Sequence, residues 1–228
     1  MLYEKPFYRL MGDRSVLVEL GDEISRQVNQ KVRELFVALD QRMIEGILEL
    51  VPGYRSLLVV FNPLEIELEK LKHIIDETAG RLDSSQLPPP KIVKIPVAYG
   101  DEYGPDLEWV AEFQKMTTAE VIQLHTEPLY SVYMIGFMPG FPYLGEVPDE
   151  LVTPRRETPR THVPQGSVAI AQKQTGIYPV ESPGGWQIIG RTPVRLFDPG
   201  KKQPSLLEMG DQVKFYAISR EDMQTWPP

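Results

Sequence analysis

The architecture of this chain is clearest in residues 136–145, GFMPGFPYLG, and in residues 183–192, PGGWQIIGRT. Glycine permits backbone angles that other residues resist, whereas proline fixes one angle. Residues 136–200 hold nine of the 17 glycines and ten of the 22 prolines. Such a density specifies loop shape, which is typical of the corners of a β-barrel. Because aromatic rings and arginines share the same stretch, we favour a binding site for the whole cluster.

Short apolar segments surround these loops and predict the rest of the second half. They lie at 129–137, 167–171, 186–190, 193–197 and 212–218, each bounded by glycine or proline. This spacing predicts a barrel or sandwich of β-strands. Upstream, polar and apolar side chains alternate over residues 91–97, as in a β-strand. Two short helices follow, one over 107–113 and one capped by Thr117 or Thr118.

The first half alternates strands with helices. Strands at 8–10 and 15–20 flank a Gly12-Asp13 turn, and Ser25 is a plausible N-cap of a first helix. A strand at 56–61 precedes a second helix that we expect Pro63 to open. This order predicts a ferredoxin-like α+β domain. The run SSQLPPP at 84–90 predicts a stiff linker, so we place an α+β domain at 1–87 and a mainly-β domain at 88–228.

Composition excludes several classes of function. The absence of cysteine excludes disulfides and thiolate catalysis and fits a cytoplasmic protein, and no signal peptide is apparent. A net charge of −8 argues against nucleic-acid binding, and no apolar run is long enough for a membrane span. Phosphate-loop, dinucleotide-fold and hydrolase-elbow motifs are missing. The three histidines have no ligand spacing, so we predict no metal site.

Arginines are the best candidate ligand contacts. Residues 151–195 carry six basic and two acidic side chains, which favours an anionic ligand or an acidic partner over a purely solvated face. We expect Arg160 and Arg191 to converge at one end of the barrel, whereas Arg155 and Arg156 are either site residues or surface residues paired with nearby glutamates.

Histidines are weaker candidates. His125, at the end of a helix, is expected to be favoured as an imidazolium, and His162 is either a carboxylate ligand or a proton carrier, or else structural. No catalytic residue is assigned. The predicted substrate- or partner-binding residues lie in glycine- or proline-rich segments and are Phe137, Pro139, Phe141, Tyr143, Arg155, Arg160, His162, Gln174, Tyr178, Gly184, Gly185, Trp186 and Arg191.

Several long motifs, in order along nearly the whole chain, resemble those of the Kip-inhibitor / allophanate-hydrolase subunit 1 family. They are GDRSVLV (12–18), PGYRSLLV (52–59), GFMPGFPYLG (136–145), TPRRETPRTHVPQGSVAI (153–170), QTGIYP (174–179) and SPGGWQIIGRTP (182–193). The resemblance implies a ferredoxin-like N-terminal domain and a cyclophilin-like β-barrel C-terminal domain. The fold alone gives no basis for prolyl isomerase activity.

The same resemblance implies that this chain is one component of an ATP-dependent 5-oxoprolinase, an enzyme that opens 5-oxo-L-proline to L-glutamate. It implies two partners: a larger homologous subunit of the KipA type (the C component of 5-oxoprolinase) and a LamB/YcsF-type subunit (the A component). ATP with Mg²⁺ is expected at the level of the complex rather than bound tightly by this chain. Two alternatives stay open: inhibition of a sensor histidine kinase, and the role of allophanate hydrolase subunit 1 in urea degradation.

Overall fold

The computed structural model describes residues 1–83 and 87–227. The chain divides into two compact units, Met1–Pro89 and Pro90–Pro228. The predicted linker begins at residues 84–86, which lie outside the described residues. The assignment of two domains at 1–87 and 88–228 stays a prediction.

The first unit is a four-stranded antiparallel sheet with two helices. Its elements are β1 (Leu2–Leu10), β2 (Ser15–Gly21), α1 (Arg26–Arg42), β3 (Ile47–Pro52), β4 (Ser56–Phe61) and α2 (Leu68–Ala79). The strand order is β1-β2-β4-β3, and every neighbouring pair is antiparallel. Ser25 caps α1 by accepting a hydrogen bond from the Val28 N–H, as predicted. Membership of the ferredoxin-like class stays a prediction.

The second helix of this unit begins later than expected. Pro63 opens a single turn, in which the Asn62 carbonyl accepts from the N–H groups of Glu65 and Ile66, but the backbone at Glu67 is extended (φ −71°, ψ 144°), so α2 begins only at Leu68. This turn leaves Leu64 93% exposed and buries Ile66 instead. A turn closed by Asn62 therefore replaces the first helical turn that the Pro63 signal predicts.

The second unit is built on a closed seven-stranded barrel. Its elements are β5 (Ile92–Tyr99), α3 (Leu107–Gln114), α4 (Thr118–Thr126), β6 (Tyr130–Ile135), β7 (Pro142–Gly145), β8 (Arg160–Val163), β9 (Ser167–Ala171), β10 (Gln174–Ile177), β11 (Ser182–Gly184), β12 (Gln187–Arg191), β13 (Gln212–Ala217) and α5 (Arg220–Gln224). The barrel order is β10-β7-β6-β13-β5-β12-β9, and β8 pairs with β11 in a separate ribbon. Only the β13–β5 pair is parallel among the described barrel pairs. The predicted mainly-β barrel is confirmed, and its cyclophilin-like character stays a prediction.

One predicted barrel strand does not form. Residues 193–197 follow β12 as an irregular segment, and Phe197 makes a single bridge to Ser205. Proline has no backbone N–H to donate to a strand, and the hydroxyl of Thr192 accepts from the Val194 N–H at 3.2 Å. The segment therefore turns away from the sheet at the end of β12.

A buried histidine lies within the barrel unit. His125 Nδ1 is 2.7 Å from the Tyr99 hydroxyl, and its Nε2 is 2.9 Å from the Thr175 hydroxyl. Because Thr175 donates to the Ala169 carbonyl, it accepts from Nε2–H, and Nδ1 accepts from Tyr99. Burial lowers the pKa of His125 to about 3. The expected imidazolium is therefore wrong, since removal from water outweighs the helix dipole.

The helices of the described ranges differ from membrane-spanning helices in length and polarity. None of them is both long and apolar enough to cross a lipid bilayer.

Candidate functional site

The loops around β7, β10 and β11 enclose a small aromatic cleft. Its volume is about 110 Å³. All of its lining residues belong to the set predicted from the sequence, and they are Phe137, Phe141, Tyr143, Arg155, Tyr178, Gly184, Gly185 and Trp186. We call this feature the aromatic cleft. Segments that are far apart in the chain thus meet at one place on the barrel unit.

Phe141 is the centre of the ring packing. Its ring meets those of Tyr178 at 5.2 Å and Trp186 at 5.7 Å, both edge to face, and that of Tyr143 at 4.8 Å. Edge-to-face contacts set the positive edge of one ring against the negative face of another. Phe141 and Trp186 are buried in the same apolar cluster. The part of the cleft that these rings form is therefore fixed by their mutual packing.

Phe137 lies at the mouth of the cleft in a strained backbone conformation. Its φ is +65°, and the Met138 N–H donates to the Gly136 carbonyl at 2.8 Å, which closes a three-residue turn around it. Turns of this kind are rare for a residue with a bulky side chain. The ring is 67% exposed and meets Phe141 edge to face at 5.8 Å. Strain that holds an exposed ring over a cleft points to a role in binding.

A pair of glycines forms the opposite wall. A Cβ atom on Gly184 would overlap the hydroxyl of Tyr178, whereas one on Gly185 would meet only Pro159, at 3.6 Å. Glycine is therefore required at the first position so that the backbone can approach the tyrosine. Burial raises the pKa of Tyr178, although a hydrogen bond from the Trp186 backbone opposes the rise. The hydroxyl thus stays protonated near neutral pH and can donate a hydrogen bond.

Arg155 supplies the positive charge of the cleft. Its guanidinium lies 5.9 Å from the centre of the Trp186 ring, an arrangement that favours a cation over an aromatic face. Within the described ranges, no carboxylate forms an ion pair with it. Burial raises the pKa of Tyr143, and the charge of Arg155 partly offsets that rise. The cleft therefore combines apolar ring surfaces, two protonated phenols and one guanidinium.

The guanidinium of Arg160 is bound to a buried carboxylate at the edge of the cleft. Both of its terminal nitrogens donate to the Asp106 carboxylate, at 2.9 and 2.7 Å, and Asp106 also accepts from the Ile188 N–H at 2.7 Å. Arg156 adds a fourth contact to the same carboxylate at 3.2 Å. Asp106 is buried, so this group of contacts ties the start of α3 to β8 and β12. Arg160 pairs with Gly184 and its charge acts on Tyr178, but it does not line the cleft, because its terminal nitrogens are engaged by Asp106.

Arg191 and His162 also lie outside the lining of the aromatic cleft. Arg191 ends β12, where its guanidinium lies 5.6 Å from the centre of the Tyr103 ring. His162 is exposed on β8, and its Nδ1 is 3.1 Å from the Glu181 carboxylate. Strand pairing places Arg191 beside Ser167, whereas Arg160 and His162 belong to the separate β8–β11 ribbon. Arg160 and Arg191 therefore have different partners, Asp106 and the Tyr103 ring.

The two remaining predicted residues lie close to the cleft without lining it. Pro139 is exposed in the loop between β6 and β7. Gln174 begins β10, where it pairs with Gly145 on one side and Ala171 on the other. Neither residue is among those that enclose the cleft.

A larger groove lies beside the aromatic cleft and was not predicted. Its volume is about 610 Å³, and its lining consists of Asp106, Trp109, Phe113, Pro154, Arg155, Arg156, Glu157, Thr158 and Gln187. We call it the α3 groove. The sequence does contain a signal for it, since Trp109 and Phe113 are four residues apart and share a helix face. The buried residues of that helix, Leu107, Val110 and Ala111, lie on the other face.

The described part of the chain offers no evident metal site. Residues 1–83 and 87–227 contain no group of three or more histidine, cysteine, aspartate or glutamate side chains arranged to hold an ion.

The sequence also matches a known family. Residues 6–207 match the model of the family described as carboxyltransferase domain, subdomain C and D, and the chain belongs to that family. The B subunit of 5-oxoprolinase from Bacillus subtilis (strain 168) is 39% identical over 226 residues, which cover 95% of this chain and 94% of the relative. The protein of the same name from Haemophilus influenzae is 48% identical over 187 residues, 82% of this chain and 87% of that one. The family resemblance inferred from the sequence motifs is confirmed.

A solved structure shows the same fold within a longer chain. The protein TTHA0988 superposes with a TM-score of 0.81 at 36% identity, over 94% of this chain. This chain spans only 41% of TTHA0988. A unit of this kind is therefore also found covalently joined to a larger remainder.

Proposed function

We propose that this chain is the B-type subunit of a 5-oxoprolinase, a hydrolase complex that opens a cyclic amide. The observation that carries the proposal is the match, over nearly the full length of both chains, to relatives named as the B subunit of 5-oxoprolinase. The aromatic cleft supports it, because every lining residue comes from the motifs that first indicated the family.

The chemistry of the cleft fits the proposed substrate. A five-membered lactam with one carboxylate is a small, flat anion, and a volume of about 110 Å³ suits such a ring better than a drug-sized ligand. The carboxylate would take the paired donors of the Arg155 guanidinium, which match it in a bidentate manner. The protonated hydroxyls of Tyr143 and Tyr178 would donate to the lactam oxygen. Phe141 and Trp186 would exclude water from the ring.

The complete reaction requires more than this chain. ATP would supply the phosphoryl group that turns the lactam oxygen into a leaving group. The sequence has no phosphate-binding loop. In this proposal ATP with Mg²⁺ acts at the level of the assembled complex, as the family resemblance implies. The partners in this proposal are the larger homologous subunit of the KipA type and the LamB/YcsF-type subunit, and the compartment is the cytoplasm.

The proposal is tested by reconstituting the complex from the three purified subunits. The expected result is glutamate release and ATP turnover that depend on 5-oxoproline and on all three chains. Arg155→Met should raise the KM for 5-oxoproline by about 10- to 100-fold, as expected for loss of a hydrogen bond between charged groups. Arg195→Met is the matched control, since that arginine is exposed and lies outside the cleft. Its KM should equal that of the wild type.

Three results would contradict the proposal or part of it. An assembled complex without turnover that depends on 5-oxoproline would refute the substrate. Full activity from this chain alone would refute its dependence on partners. Allophanate-dependent turnover, or inhibition of a sensor histidine kinase without any turnover, would favour one of the two alternatives.

A further inference from the structure

We infer that the α3 groove is the docking site of the larger partner subunit, which inserts a segment carrying an apolar side chain next to a carboxylate. The inference rests on the proposed function for the identity of the partner. It assigns that partner to one surface of this chain, distinct from the aromatic cleft.

The floor of the groove is an exposed aromatic pair. Trp109 is 43% exposed and Phe113 is 49% exposed, although both are large and apolar. Their rings stack at 5.2 Å with an interplanar angle of 17°. Exposed aromatic residues beside a groove are typical of protein interfaces, in which tryptophan and arginine contribute much of the binding energy. Leaving this pair in water is costly, and a partner that covers it would remove that cost.

The charges of the groove favour a protein segment over a nucleotide. Arg156 is paired with Asp106, and Glu157 contributes a carboxylate to the wall. Among the lining residues, Arg155 is the guanidinium that remains without a described carboxylate partner. A triphosphate requires several cations and would be repelled by Glu157, whereas a single carboxylate requires only Arg155. In addition, Trp109 and Phe113 stack on each other, so a flat base could not insert between them.

The relative TTHA0988 supports a partner that is larger than this chain. In that protein a unit similar to this chain makes up 41% of a single longer chain. The remainder of TTHA0988 is thus covalently joined to that unit. For the protein described here, the counterpart of that remainder would be a separate subunit. A stable assembly of two subunits needs an apolar surface that becomes buried between them. The α3 groove provides such a surface on the barrel unit.

The position of Arg155 gives docking a consequence for the substrate. This residue lines both the α3 groove and the aromatic cleft. A guanidinium has five N–H donors, so a partner carboxylate bound from the groove would fix the orientation of the Arg155 side chain and still leave donors for the substrate carboxylate in the cleft. Docking would thereby make substrate binding depend on the partner, as the proposed function requires.

The inference is tested by titrating the full-length chain against the purified larger subunit in a calorimeter. Trp109→Ala and Phe113→Ala should each weaken binding by about 30-fold or more, the effect typical of a central interface residue. Phe7→Ala is the control, because Phe7 is a half-exposed phenylalanine of the first unit, far from α3 in sequence. It should bind within about twofold of the wild type, the range expected for a residue outside an interface. Thermal melting should show that all three variants remain folded.

The outcomes separate this inference from the proposed function. Unchanged binding by both Trp109→Ala and Phe113→Ala would overturn the docking site, whether or not the complex is active. Saturable quenching of tryptophan fluorescence by ATP that is lost in Trp109→Ala and retained in the assembled complex would overturn it in favour of a nucleotide site. A complex that assembles through the groove but has no activity towards 5-oxoproline would refute the function and leave the docking site intact.

Discussion

Acid should destabilise this protein through a single buried imidazole. His125 is fully buried and stacks on Phe215 with 4.6 Å between ring centres, and both of its ring nitrogens have hydrogen-bond partners. Its pKa is about 3 in the folded protein, against 6.5 when exposed. Below pH 6.5 the unfolded chain therefore binds a proton that the folded chain does not. The contribution to stability is complete above pH 6.5 and falls progressively between pH 6.5 and about 3.

The size of the effect follows from proton linkage. Each pH unit below the unfolded pKa costs about 1.4 kcal/mol for one proton. Between pH 7 and pH 5 the free energy of unfolding should therefore fall by about 2 kcal/mol. Most carboxylates titrate below this window, so the histidine contribution dominates it. The fall should be visible in urea denaturation measured at pH 7, 6 and 5.

A matched pair of variants tests whether the loss of stability in acid comes from His125. His125→Gln cannot take up the proton, so it should lose less than about 0.5 kcal/mol over the same range, although its stability at pH 7 will be lower. His73→Gln replaces an exposed histidine of α2 and should retain the full loss. If His125→Gln does not fold, the proton NMR signals of wild-type His125 give the same answer. They should not shift above about pH 4, and an imidazole that titrates near its ordinary pKa of about 6.5 would refute the reasoning.

Three further predictions concern the barrel unit. Arg160→Met should lower the free energy of unfolding by about 3–5 kcal/mol, because it leaves a buried carboxylate without its main partner; Arg195→Met, at an exposed pair, should cost less than about 1 kcal/mol in the same urea titration. Gly184→Ala should cost about 1–3 kcal/mol by overlap with the tyrosine hydroxyl, whereas the neighbouring Gly185→Ala should be close to neutral, and equal melting temperatures for the two would contradict the close approach. Phe137→Gly relieves a positive φ, so stability should change by less than about 1 kcal/mol while the KM for 5-oxoproline rises by about 2- to 10-fold in the reconstituted complex. An unchanged KM would remove Phe137 from the site.

Local chemistry made much of the fold predictable. Ser25 and Thr117 cap helices as expected, since an N-cap depends on residues within the same turn. The glycine- and proline-rich motifs placed the corners of the barrel for the same reason. The predicted secondary structure was wrong at two places, where the local backbone differs from the one that the residue pattern favours. The extended backbone at Glu67 ended the turn after Pro63, and the Thr192 hydroxyl turned the chain away from the sheet before Val194.

The candidate site was likewise predictable in part. The aromatic rings of the cleft were found from the sequence, because they lie in the glycine- and proline-rich motifs that carry the family resemblance. Which guanidinium stays available to a ligand could not be found in this way. Arg155 and Arg160 have the same side chain and similar neighbours in the sequence. They differ because Asp106, 54 residues before Arg160 in the chain, reaches Arg160 and not Arg155.

Amino-acid order alone was thus enough to specify the class of fold of the barrel unit, the family and the set of rings that forms the cleft. Each of these depends on residues acting over a few positions, or on motifs that keep their order along the chain. The protonation of His125, the engagement of Arg160 and the α3 groove depend instead on distances through space. Burial and ion pairing are set by which surfaces meet after folding, and within a single segment the sequence signals only the helix face that Trp109 and Phe113 share.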